Sequence, residues 1–119
     1  SDYVVIACPL TPSTKGMIGK KELKKMKSTS FIINIARGAI IDELAITKAL
    51  QNKHIAGAGL DVFENEPLEK NNPLFELDNV FLSPHISGNF LEYQHEAEFL
   101  YHYKKILHLY CLISFHLEV

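Results

Sequence analysis

Apolar residues fall in short dense runs, parted by polar, glycine- and proline-containing stretches. Tyr3-Val4-Val5-Ile6-Ala7-Cys8 is nearly unbroken, rich in β-branched residues and closed by Pro9. Such a run predicts a strand buried on both faces, as in parallel sheets. Phe31-Ile32-Ile33-Asn34-Ile35 predicts a second strand, running out into Ala36-Arg37-Gly38. Residues Ile55 to Val62 predict a third, whose small side chains would let a helix or a ligand approach the backbone. Asn79 to Ser83 predicts a short fourth, stopped by Pro84. Between them, Lys20 to Met26 suits a short helix with Leu23 and Met26 on one face. Asp42 to Leu50 is the clearest helix: Asp42 suits the N-cap, while Ala45/Ala49 and Ile46/Leu50 are i,i+4 pairs. Lys53 and His54 suit its C-terminal end. From Asn89 to about Tyr110 the pattern predicts a long helix with Phe99, Tyr103, Ile106 and Tyr110 on one stripe.

Strand alternating with helix implies an α/β fold with a parallel sheet and crossover helices. Open sheets of this kind bind ligands beyond the carboxyl ends of their strands. That edge collects Pro9 to Thr11, Ala36 to Gly38, Asp61 to Glu66, and Pro84 to Gly88.

Composition narrows the possibilities. A chain of 119 residues makes one modest domain, and a net charge of -2 gives no footprint for nucleic acid or an acidic membrane. The lysines between Lys15 and Lys27 are interleaved with apolar positions and read as a solvated helix face. Cys8 and Cys111 have no CxxC spacing and fit a reducing compartment. No signal segment opens the chain, and the apolar run Leu109 to Phe115 is too short to span a bilayer. A cytoplasmic protein is the expectation. His54, His95, His102, His108 and His116 lack metal-ligand spacing, so no metal site is expected.

The ionisable residues at the sheet edge are Arg37, Asp61, Glu64, Glu66 and His85. A guanidinium can hold a carboxylate bidentately, a histidine can move a proton near neutral pH, and a carboxylate beside it would fix its tautomer. Together they suit proton transfer at a carbon bearing a hydroxyl or carbonyl, next to a carboxylate. Plainer roles stand beside these: Arg37 pairing with Asp42 or Glu43, Glu66 as a solvated carboxylate, His85 as a structural histidine, and Asp61 as a turn cap.

Four segments carry a resemblance: Pro9-Leu10-Thr11-Pro12-Ser13-Thr14, Asn34-Ile35-Ala36-Arg37-Gly38, Gly59 through Pro67, and Ser83-Pro84-His85-Ile86-Ser87-Gly88. In that order, over residues 1 to about 96, the chain resembles the C-terminal half of the nucleotide-binding domain of D-isomer-specific 2-hydroxyacid dehydrogenases. The resemblance implies a partial Rossmann-like, three-layer α/β domain. It also implies hydride exchange between NAD or NADP, NAD being favoured, and C2 of a 2-hydroxy or 2-keto acid. Arg37 would hold the substrate carboxylate, His85 would give or take the proton, and Glu66 would orient His85. Asp61 would approach the nicotinamide carboxamide or its ribose, Cys8, Pro9, Thr11, Ala36, Arg37 and His85 would line the cofactor, and Gly88 would leave room beside the nicotinamide. A homodimer is implied for the full-length protein, with no nucleic-acid or membrane partner.

Two features depart from the family. No GxGxxG occurs, so the pyrophosphate cradle is expected before residue 1 and the substrate domain outside the chain. Beyond residue 96 the pattern drifts, dividing the chain into a partial domain over 1–108 and an apolar tail over 109–119. The alternative to a catalytic segment is a truncated, non-catalytic interaction module.

Overall fold

The computed structural model describes residues 1–87, which lie in a unit running Ser1–Gly88. The long helix expected from Asn89 and the boundary at 108 fall outside the described residues. Four strands, β1 (Tyr3–Ile6), β2 (Phe31–Asn34), β3 (Gly57–Leu60) and β4 (Val80–Leu82), form one parallel sheet in that order. Their last residues share a row, Ile6 against Asn34, Asn34 against Leu60, and Leu60 against Leu82. The loops that follow therefore leave from one level of the sheet edge.

Each strand is shorter than its apolar run. The ladder closes with Ile35 N–H donating to Ile6, Asp61 to Asn34 and Ser83 to Leu60. Beyond that row the backbone groups turn to loop partners.

Sequential strand order joined by right-handed crossovers places all connections on one face of the sheet. Helices α1 (Lys20–Leu23) and α2 (Glu43–Gln51) lie there, and Leu23, Ile46 and Leu50 join Ile6, Ile32 and Leu60 in one core. Burying each such side chain is worth about 1.5–3 kcal/mol. Asp42 caps α2 by accepting from Ala45 N–H at 2.9 Å. α2 ends with His54 N–H donating to Ala49 and Lys53 N–H to Leu50, Lys53 taking φ 51° where glycine is usual. α1 stops three residues earlier than expected, because Lys25 and Met26 donate to carbonyls three residues back and tighten the last turn.

The other face corrects two expectations. β1 does not bury both faces: Tyr3 and Val5 are exposed, as are Phe31 and Phe81 on the same side. These side chains alternate with core positions, and the helices of residues 1–87 cover only the core face. Among the described residues, a sheet layer and one helix layer are seen. At Gly57 the close approach is made by the sheet itself, by Asn79 C=O, 2.6 Å from where a Cβ would stand, and then by the Phe31 ring. A Cβ there would stand 2.9 Å from the Phe31 ring, which also stacks on Tyr3 at 5.7 Å. Among the described residues, no helix is long and apolar enough to cross a membrane.

Candidate active site

The loop after β2 is shaped from beneath by Asn34, only 1% exposed. Its amide donates to Arg37 C=O at 3.0 Å and its carbonyl oxygen accepts from Ala36 N–H at 3.1 Å. An otherwise apolar strand ends on this residue because its side chain can satisfy a backbone that leaves the ladder. Gly38 follows, and a Cβ there would run into the Phe63 carbonyl group and the Glu64 amide. Only glycine lets the loops after β2 and β3 touch backbone to backbone.

The loop after β3 begins at Asp61, which is 3% exposed. Its Oδ1 accepts from Ser83 Oγ at 2.5 Å and Ile86 N–H at 3.0 Å, and its Oδ2 accepts from Ser87 N–H at 2.9 Å. Burial pushes this carboxyl up, but the hydrogen bonds from Ser83, Ser87 and Ile86 outweigh it and hold the group below its ordinary 3.8. Asp61 C=O also accepts from His85 N–H at 2.8 Å. Asp61 thereby folds residues 83–87 around itself and holds His85 at φ 56°, a left-handed conformation few non-glycine residues adopt.

His85 so held meets Glu66. Nδ1 lies 2.7 Å from Glu66 Oε2, while Oε1 accepts from Phe63 N–H at 3.0 Å. Slight burial raises the Glu66 carboxyl, and the bonds from His85 and Phe63 more than reverse this, leaving it below its ordinary 4.5. With Nδ1 occupied by the carboxylate, Nε2 is the ring nitrogen left for a proton donor or acceptor role. Beside the pair lies a hollow of about 340 Å³ walled by Phe63, Pro67, Leu68, Phe75, Leu82 and Pro84. Both side chains remain open to solvent, so the bond is made at an accessible edge.

The expected site residues divide as follows. Glu66 and His85 are brought together; Arg37 stands exposed on the neighbouring loop, its Nη1 donating to Ala36 C=O at 2.6 Å. Asp42 and Glu43 are engaged elsewhere, so neither pairs with Arg37. Asp61, expected at the nicotinamide carboxamide or its ribose, has both carboxylate oxygens hydrogen-bonded to residues 83–87, where it also places His85. Cys8, Thr11 and Ala36 are half-buried at the strand ends, and Pro9 is exposed beside them. Thr11 is tied to Thr14, whose hydroxyl donates to Pro9 C=O at 2.8 Å. Gly88 falls outside the described residues. Among the described residues, no His, Cys, Asp and Glu cluster could hold a metal ion.

Sequence reasoning passed over Asn34, Glu43, Asn72 and Ser83 as residues that shape the site. A visible signal existed for Asn34 alone, a buried amide closing an apolar strand.

The fold and site define an α/β domain: a parallel sheet whose carboxyl edge presents a carboxylate–imidazole pair, with an exposed arginine on a neighbouring loop. Comparison with known proteins narrows this. The family model "D-isomer specific 2-hydroxyacid dehydrogenase, NAD binding domain" matches residues 1–87. A glyoxylate reductase of Thermococcus gammatolerans is 58% identical over 88 residues, 74% of this chain and 26% of that protein. A Xanthobacter autotrophicus D-isomer specific 2-hydroxyacid dehydrogenase, solved with NADPH and MES, superposes with a TM-score of 0.70 at 45% identity. That match covers 72% of this chain and 28% of the other. A Lactobacillus delbrueckii member in its NAD-complexed form gives a TM-score of 0.65 at 39% identity, over 72% of this chain and 30% of that one. The chain belongs to the D-isomer specific 2-hydroxyacid dehydrogenase family and carries part of its NAD-binding domain. It spans about a quarter of the length of the curated relatives it matches.

Proposed function

We propose that these residues form the proton-transfer and carboxylate-binding edge of an NAD(P)-dependent reductase of small 2-keto acids such as glyoxylate or hydroxypyruvate. The observation that carries the reading is the 2.7 Å bond between His85 Nδ1 and Glu66. Reduction of a 2-keto acid adds a hydride at C2 and a proton at its oxygen. Bound nicotinamide supplies the hydride equivalent. His85, protonated and stabilised by Glu66, gives the Nε2 proton to the oxygen and is left neutral with its remaining proton on Nδ1, facing the carboxylate. Oxidation reverses each transfer. Arg37, exposed and free of ion pairs among the described residues, receives the substrate carboxylate.

The cofactor fits the open strand-end edge, where Cys8, Pro9, Thr11, Ala36 and Arg37 would line its nicotinamide side. Its pyrophosphate has no glycine-rich turn among these 119 residues. A homodimer working in the cytoplasm belongs to the same reading. A non-catalytic module has no use for a carboxylate–imidazole pair held on an exposed edge, which favours the enzyme.

The test titrates isotope-labelled chain with oxalate, a non-reducible mimic of the 2-keto acid, in the presence of NADH. The Arg37 guanidinium and His85 ring signals are expected to move together, and R37K to abolish the response. Saturating ligand that leaves both signals in place refutes the reading.

A further inference from the structure

The loop that presents Glu66 is tied down sparsely. Apart from a local turn in which Asn72 N–H donates to Glu69, residues 62–71 hydrogen-bond to the rest of the described chain at two points. One is the Glu66–His85 bond itself. The other is Glu64 N–H donating to Glu43 Oε2 at 3.0 Å. At the far end of the loop, Asn72 Nδ2 donates to the second oxygen, Glu43 Oε1, at 2.9 Å. One carboxylate on the first turn of α2 therefore grips both ends of the segment.

We infer that Glu43 is a positioning residue for Glu66, setting through Glu64 and Asn72 where the Glu66 carboxylate meets His85. The inference rests on the reading that the Glu66–His85 pair moves the proton. Val62 is buried, Leu68 packs on the core and the Phe63–Glu64 backbone abuts Gly38, so packing seats the start of the loop; these contacts are non-directional and do not fix how residues 65–71 are turned. Directional bonds remove that freedom, and the Glu64 bond lies two residues from Glu66. An acidic residue at a helix start also suits the dipole. That role asks nothing of the loop, and the capping bond to Ala45 N–H is already made by Asp42. Both Glu43 oxygens face loop donors instead.

The donor pattern makes glutamate specific. A glutamine in place of Glu43 could accept from Glu64 N–H through its oxygen, but its side-chain amide would then face Asn72 Nδ2, donor against donor. Asn72 cannot flip to resolve this, because its Oδ1 accepts from Leu74 N–H at 3.0 Å. Exchanging both residues restores the match. In E43Q/N72D the new carboxylate would accept from the new amide and from Leu74 N–H, and net charge would be unchanged.

The experiment follows the Glu66 carboxyl carbon by NMR through an acid titration of the whole chain, with thermal melting alongside. In E43Q the midpoint is expected to rise toward the ordinary glutamate value, as the bonds that depress it loosen. In E43Q/N72D it is expected to return to the wild-type position. A folded E43Q with an unmoved Glu66 midpoint overturns the inference even if its melting temperature drops, since that is the signature of a merely structural role. Failure of the double exchange to restore the midpoint overturns it too. Should E43Q not fold, N72S decides: serine can still cap Leu74 but cannot reach Glu43, and an unmoved midpoint there is equally fatal. No substrate enters this measurement. A silent oxalate titration with a shifted E43Q midpoint therefore refutes the proposed function and leaves the clamp standing.

Discussion

Asp61→Asn tests how the histidine loop is held. The carboxylate accepts three hydrogen bonds in a nearly dry environment. Asparagine can keep the two at Oδ1, from Ser83 and Ile86, but its Nδ2 would replace Oδ2 and confront Ser87 N–H. One charge-assisted bond, worth about 1.5–3 kcal/mol, is lost and two donors are left opposed. The cheaper burial of a neutral amide offsets part of this, so the expected net loss is about 2 kcal/mol at neutral pH. Urea denaturation reads the loss, and amide exchange locates it, with Ile86 and Ser87 losing protection before the strands do. The pH dependence supplies a second check. The folded-state pKa of Asp61 lies below its ordinary 3.8, so the unfolded chain takes up the proton first. Its contribution is therefore complete above 3.8 and is lost as pH falls through the lower, folded value. The difference between wild type and D61N should shrink over that acid range. A D61N loss under about 0.5 kcal/mol with Ser87 still protected would refute the reasoning, because an unpaired buried donor costs more than that.

Other substitutions address separate features. Gly38→Ala should destabilise the chain by about 3 kcal/mol or more in urea melts, since the added methyl meets backbone that cannot rotate away. Lys53→Gly should stabilise by about 0.5–1 kcal/mol by relieving a left-handed residue at the end of α2; its ion pair with Asp78, at 3.8 Å and exposed, is a minor loss. His85→Asn should leave Ile86 and Ser87 protected, because asparagine tolerates positive φ. The same change should raise the Glu66 titration midpoint, because the imidazole that depresses it is gone.

The existence and parallel pairing of the strands were legible because runs such as Phe31 to Asn34 are too short and too β-branched for buried helices. Their ends were not. Whether Ala7 or Ile35 extends a ladder depends on where a neighbouring strand stops, and local pattern does not contain that. The double burial expected of β1 failed for a related reason: its apolar residues face a side of the sheet that residues 1–87 do not cover. At the site, Arg37, Glu66 and His85 could be named from their loops and from the family resemblance. The supports could not. Glu43 and Asn72 are 29 positions apart, and Asp61 and Ser83 are 22 apart. A glutamate at a helix start and an asparagine before a proline each have sufficient local explanations. Their bond exists only because the sheet brings two crossovers together.

The backbone contact at Gly38 has a consequence for motion. The segment bearing Arg37 and the segment bearing Glu66 cannot slide past each other without a collision, and Asp61 fastens His85 to the root of the second. Arg37 and His85, the anchor and proton-exchanging group of the proposed function, thus sit on loops that are held against each other. Closing over a bound molecule cannot be divided between them. On the proposed function, opening and shutting around a bound molecule would then come from elements that meet this edge, with the contact at Gly38 holding the two loops in step.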